Sequence, residues 1–313
     1  MNTRGMSLQV VARSAEAAGG GGPARLARTA IGAVPPPGLI LLGIVSIQVG
    51  AALAKNLFGV FPPTAVVSVR LVTAALVLGC VVRPRLRGHS RTDWAVVGLL
   101  GLTFAVMNSA IYQSMARIPL GVAVTVEFLG PLSVAIAGSR RVRDALWVVL
   151  AGGGVLLLAR GGGGVDAIGV LWALLAAAAW AGYILLGAST GRRFPGTSGL
   201  AMAMAIGALL AAPVGVAQAG TDLLSPRLLV FGAAAGLLSS AIPYALEIEA
   251  LRRMPARVFA ILMSVEPAVA ALVGMVVLGE LLGVRQWVAI ACVIVASIGA
   301  TRSTRRPRET PET

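Results

Sequence analysis

Residues 117–144 read RIPLGVAVTVEFLGPLSVAIAGSRRVRD, and residues 253–280 read RMPARVFAILMSVEPAVAALVGMVVLGE. Pro119 and Pro131 are twelve residues apart, as are Pro255 and Pro267, and the second pair follows the first by 136 residues. The same offset sets Asp144 on Glu280. Each stretch is apolar for about 20 residues, enough helix to cross the hydrocarbon core of a bilayer. Each also carries one acid in mid-run, Glu127 in the first and Glu266 in the second. Together these features read as two copies of one membrane-embedded unit.

The rest of the chain has the same character. Of its 313 residues, 57 % are apolar before the 39 glycines are counted, and only 12 % are charged, against roughly 25 % in soluble domains. That composition excludes a soluble protein and fits a chain whose solvent is mostly lipid. Apolar runs punctuated by Pro, Gly and Arg predict spans near 37–58, 62–82, 93–115, 119–139, 145–160, 166–188, 197–217, 227–251, 256–279 and 284–302. The expected fold is an all-α polytopic membrane protein with ten transmembrane helices. Five spans per copy is an odd number, so the second copy enters the membrane upside down, giving two five-helix inverted repeats at 37–160 and 166–302. A Gly- and Arg-rich stretch at 1–36, with GGGGP at 19–23, reads as a disordered tail, and 303–313 as a second tail.

The net charge of +14 comes from 26 basic and 12 acidic residues. With the N-terminus inside, 20 of the basic residues fall in cytoplasmic segments and 4 in outer loops, with Lys55 and Arg70 inside spans. This positive-inside bias puts both termini in the cytoplasm and explains the basic balance without nucleic acid. The lipid bilayer is the expected macromolecular surroundings. No cofactor is expected: GGGG at 161–164 lacks the Lys-Ser/Thr of a phosphate cradle. Cys80 and Cys292 are too few for a disulfide framework or metal cluster, and the single histidine, His89, lies in a basic loop.

The segment ALEIEALRRMPARVFAILMSVEPAVAALVGMVVLGELL (245–282) resembles the drug/metabolite transporter superfamily in its form with two EamA-type domains. The stretches SIQVGAALAKNLF (46–58), VRLVTAALVL (69–78), IPLGVAVTVEFLGPLSVAIAGSRR (118–141) and SSAIPYALEIEALRRMP (239–255) look most like its bacterial threonine/homoserine exporter branch. The resemblance covers roughly residues 38–301 and implies a plasma-membrane amino-acid exporter, a transporter and not an enzyme.

A charge at the bilayer centre costs at least ~2.5–3.5 kcal/mol, so each one needs a reason. Arg70, Glu127 and Glu266 are mid-span, whereas Lys55, Glu247 and Glu249 lie near span ends and are expected to snorkel to an interface. Pro131 and Pro267 remove the N–H groups that would bond the carbonyls of Glu127 and Met263. A zwitterionic amino acid needs opposite partners at its two ends. Arg70 offers a fork for the carboxylate, while Glu127 with its freed carbonyl can hold the ammonium. Gln48, Asn108, Tyr112 and Trp180 are the uncharged candidates for the lining, and Glu266 and Glu127 the candidates for proton coupling. The competing reading makes Arg70 half of a permanent ion pair with Glu127 or Glu266.

The chain shows no nucleotide-binding segment, so a gradient must supply the energy for export. The same fold carrying another metabolite or a drug is the alternative, and a passive channel or scaffold a more distant one.

Overall fold

The computed structural model describes residues 34–84, 87–137, 144–160, 166–194 and 197–303. Most of both expected tails, the GGGG loop and Arg140, Arg141 and Arg143 lie outside the described residues. Everything described in secondary structure is helical, as lipid requires of a chain that must satisfy its own backbone hydrogen bonds. The first helices are α1 (Pro36–Asn56), α2 (Pro63–Val82) and α3 (Arg91–Met115). The next span is broken in two, α4 (Leu120–Glu127) and α5 (Leu129–Ala137), and α6 (Asp144–Arg160) follows. Two long helices come next, α7 (Ala167–Arg193) and α8 (Ser198–Ala219). Then α9 (Pro226–Gly236) passes through a π-helical turn, Leu237–Ala241, into α10 (Ile242–Arg253). A second broken span, α11 (Ala256–Met263) and α12 (Glu266–Leu278), precedes α13 (Val284–Ser303).

The sequence supplies the boundaries. Proline opens α1, α2 and α9 at the first turn, where its missing N–H is harmless. Ser90 and Asp93 form a reciprocal capping box at the start of α3, and Asp166 caps α7 through the Ile168 N–H at 3.0 Å. The breaks between α4 and α5 and between α11 and α12 fall at Phe128 and at Ser264–Val265, just ahead of Pro131 and Pro267. The π turn sits ahead of Pro243, which has no N–H to return to it, and Ser46 Oγ of α1 donates to the Leu238 carbonyl at 2.7 Å instead.

Eight helices among the described residues are long and apolar enough to cross a membrane. The expected spans at 145–160 and 227–251 instead appear as the shorter apolar helices Leu146–Leu158 and Pro226–Ser240. The reasons are visible in the chain. α6 has only 17 residues, and α10 carries Glu247, Glu249, Arg252 and Arg253. Exposed Leu76, Leu185, Leu209 and Val276 give the outside an apolar face that water would penalise and lipid does not.

Inside, small residues let the backbones approach. α3 lies along α7 and α8, α2 along α8 and α9, and α6 along α13. Gly232 and Gly236 of the GAAAG run meet Val69 and Arg70 of α2. α1 packs on α10 and α12, and α4 packs on α12, where a Cβ at Gly121 would stand 2.5 Å from Ala271 Cα. Only glycine fits at that crossing.

Candidate functional site

Two groups of buried polar side chains lie inside the bundle, one between α1 and α12 and one between α2 and α3. In the first, Gln48 of α1 donates from Nε2 to Glu266 Oε1 at 3.0 Å. Both side chains are sequestered, at 2 % and 6 % exposure. The break before Pro267 makes Glu266 the first residue of α12, where the helix dipole favours an acid. Gln48 Oε1 and Glu266 Oε2 have no hydrogen-bond partner among the described residues.

In the second group, Arg70 Nη1 of α2 donates to Asn108 Oδ1 at 2.6 Å. Asn108 Nδ2 donates back to the Phe104 carbonyl at 2.8 Å, which holds the amide oxygen toward the guanidinium. Tyr112, one turn along α3, places its ring centroid 5.2 Å from the guanidinium carbon, a cation–π contact. Arg70 Nε and the buried Tyr112 hydroxyl have no hydrogen-bond partner within 3.5 Å among the described residues. Nor does any carboxylate among them lie within 4.0 Å of the guanidinium. The Arg70 charge is therefore held by an amide and a ring, with hydrogen-bonding capacity left over.

Glu127 closes α4 and lies within electrostatic range of both Glu266 and Arg70. Trp180 of α7 packs edge-on against Phe128, ring centroids 5.6 Å apart at 89°, and so touches the residue beside Glu127. Tyr183, one turn on, packs against Phe104 at 5.1 Å. The structure thus gathers Gln48 with Glu266 and Arg70 with Asn108 and Tyr112, and leaves Trp180 in aromatic packing.

The span-end charges behave differently from one another. Glu249 pairs within its own helix with Arg253 at 2.5 Å and Arg252 at 3.7 Å. Lys55 does not snorkel: its ammonium lies 2.5 Å from Glu280 Oε1 and 2.7 Å from the Ile118 carbonyl. A carboxylate within reach outcompetes the interface.

Chemically, a guanidinium with a free N–H suits a carboxylate, and unpartnered amide and carboxylate oxygens suit an ammonium or a proton. The comparisons with known proteins bear on what uses these groups. Residues 167–302 match the model of the EamA-like transporter family. The chain is 41 % identical over 271 residues to the threonine/homoserine exporter RhtA of Salmonella typhimurium strain LT2, covering 86 % of this chain and 92 % of that one. The chain belongs to the EamA-like transporter family.

Membership makes this EamA protein a multi-pass membrane transporter and not an enzyme. The threonine/homoserine exporter RhtA of Escherichia coli K12 is 39 % identical over 277 residues, covering 88 % of this chain and 94 % of its own. An uncharacterized transporter of Bacillus subtilis, YwfM, is 29 % identical over 227 residues, covering 69 % and 76 %. A solved crystal structure with 18 % identity superposes at a TM-score of 0.55, covering 85 % of this EamA chain and 98 % of its own, and shares the fold.

Proposed function

We propose that this protein is a secondary exporter of small neutral amino acids of the threonine/homoserine type in the bacterial inner membrane, driven by the proton gradient through alternating access. The observation that carries the cargo class is identity of 41 % across 92 % of a threonine/homoserine exporter. In this reading Arg70 receives the substrate carboxylate through its unused N–H groups. Glu127 and the carbonyl freed by Pro131 receive the ammonium. Gln48, Asn108, Tyr112 and Trp180 line the site, and Glu266 with Glu127 carries the proton. A carboxyl desolvated in mid-membrane can exchange a proton at far lower cost than it can hold a bare charge. One proton moving inward down 100 mV gains about 2.3 kcal/mol, enough for an outward gradient of roughly fifty-fold in a neutral zwitterion.

Alternating access follows from two inverted repeats of five spans, with α6 and the α9–α10 helix completing the ten. Supporting this, α4 and α11 are both eight residues long, and each begins directly after a proline. Their starts, Leu120 and Ala256, differ by the same 136 residues as the prolines. The 20-to-4 distribution of basic residues supports cytoplasmic termini.

The test is an efflux assay in a host stripped of its own amino-acid exporters. Expression should raise extracellular threonine or homoserine and tolerance to their toxic levels, and a protonophore should abolish both. Tolerance confined to organic cations or dyes would refute the cargo.

A further inference from the structure

We propose that Lys55 and Glu280 form a reversible gate that closes one end of the transport route, and that the structure shows this gate shut. The inference rests on the alternating-access reading but not on the cargo.

Three of the helices that carry the mid-membrane groups are α1 with Gln48, α4 with Glu127 and α12 with Glu266. The same three are tied at one end. Lys55 lies seven residues, two helical turns, beyond Gln48 and so stands over it on one face of α1. Its ammonium meets Glu280 Oε1 at 2.5 Å and the Ile118 carbonyl at 2.7 Å. The other carboxylate oxygen, Oε2, accepts from the Leu120 N–H at 2.7 Å, at the N-terminus of α4 and two turns from Glu127. Each charge therefore has one charged partner and one backbone partner, and the side chains are only 18 % and 15 % exposed.

The chain around Glu280 is shaped for this contact. Gly279 adopts the left-handed conformation, φ 69°, and turns the end of α12 back until the Glu280 N–H bonds the Gly274 carbonyl at 3.1 Å. A Cβ at Gly274 would stand 2.6 Å from Glu280 Oε2, so the carboxylate occupies the space a side chain would fill. At this end α4 lies against α12, through Gly121 and Ala271. Toward the other end their continuations take other partners: α5 packs on α7 and α13, and α11 on α1 and α13.

A permanent staple and a gate differ in what happens when the ends separate. In the middle of the membrane, parted charges would be stranded. At a span end both can be rehydrated, so the pair can open and close as the two halves rock.

The experiment uses the full-length chain with Cys80→Ser, Cys292→Ser and a reporter, Ala52→Cys, which lies on the Gln48–Lys55 face of α1 and is fully buried. A membrane-impermeant thiol reagent is applied separately from each side. With the pair intact the reporter should be protected from the Lys55 side. Glu280→Gln, which keeps an acceptor for the Leu120 N–H, should raise labelling at least tenfold from that side alone, as should Lys55→Gln. Unchanged labelling in both variants overturns the gate. If the increase comes only from the cytoplasmic side, the gate stands and the proposed topology fails.

A second arm joins Lys55→Cys to Glu280→Cys with a short bifunctional reagent in folded, membrane-inserted protein. Cross-linking should abolish export, and a cleavable linker should restore it on reduction. Export that persists at full cross-linking would show that these ends never part and would overturn the proposal.

Discussion

Arg70 is the most constrained residue of the candidate site, because a half-buried guanidinium is held by the Asn108 amide and the Tyr112 ring without a carboxylate within 4.0 Å among the described residues. Lysine would keep the charge and lose the planar fork. We expect Arg70→Lys to lower export nearly as far as Arg70→Gln, at least tenfold, or about 1.4 kcal/mol of lost stabilisation. Initial efflux rates at matched expression check this. The double change Arg70→Gln with Glu127→Gln is expected to insert and fold yet export nothing. Recovered export in the double variant would make the two residues a structural pair in some other state of the cycle and end the zwitterion reading. Sequence reasoning singled out Arg70 because a mid-span charge needs a reason. It looked for a carboxylate as the partner and named Asn108 only as an uncharged part of the lining, because Asn108 is 38 positions away and becomes a neighbour only when α2 packs beside α3.

At the scale of elements, 119–139 and 256–279 were expected as continuous spans with freed carbonyls at Glu127 and Met263; the breaks fall beside those positions, at Phe128 and at Ser264–Val265, because each proline removes one backbone donor. Replacing Pro267 with alanine restores an N–H for the Met263 carbonyl. We expect the Pro267→Ala variant to be at least as stable to thermal unfolding in detergent, while export falls because Glu266 is no longer held at a helix start. A stable variant with unchanged export would show that the break has no part in transport. The π turn was less legible. Pro243 signals an interruption, but the choice of a π turn depends on Ser46 arriving from α1 to take the Leu238 carbonyl. Ser46→Ala should therefore destabilise the fold by about 1 kcal/mol, the net worth of one hydrogen bond, read as a lowered unfolding temperature.

The whole molecule was legible in outline because lipid permits so few architectures. Runs of apolar residues became helices at nearly the expected bounds, from 37–58 observed as Pro36–Asn56 to 284–302 observed as Val284–Ser303. What failed to show in the sequence was long-range pairing. Lys55 and Glu280 are 225 positions apart, and nothing in either neighbourhood names the other. Topology is the prediction that belongs at this scale. Reporter fusions at residue 222 and at the C-terminus should give opposite signals, the first outside and the second inside, and equal signals would remove the inverted repeat. The shortness of α6 has a further consequence for the surrounding membrane. Its apolar stretch, Leu146–Leu158, spans about 20 Å at 1.5 Å per residue. It packs chiefly on α13 and turns Leu146, Val148, Val149 and Leu156 outward. In the proposed ten-span arrangement that stretch is shorter than a hydrocarbon core of about 30 Å, a mismatch met by local thinning, snorkelling of flanking residues or oligomerisation. Reconstituted protein should accordingly export faster in bilayers of shorter acyl chains than in those of longer ones, with the lipids nearest the α6–α13 pair the most disordered.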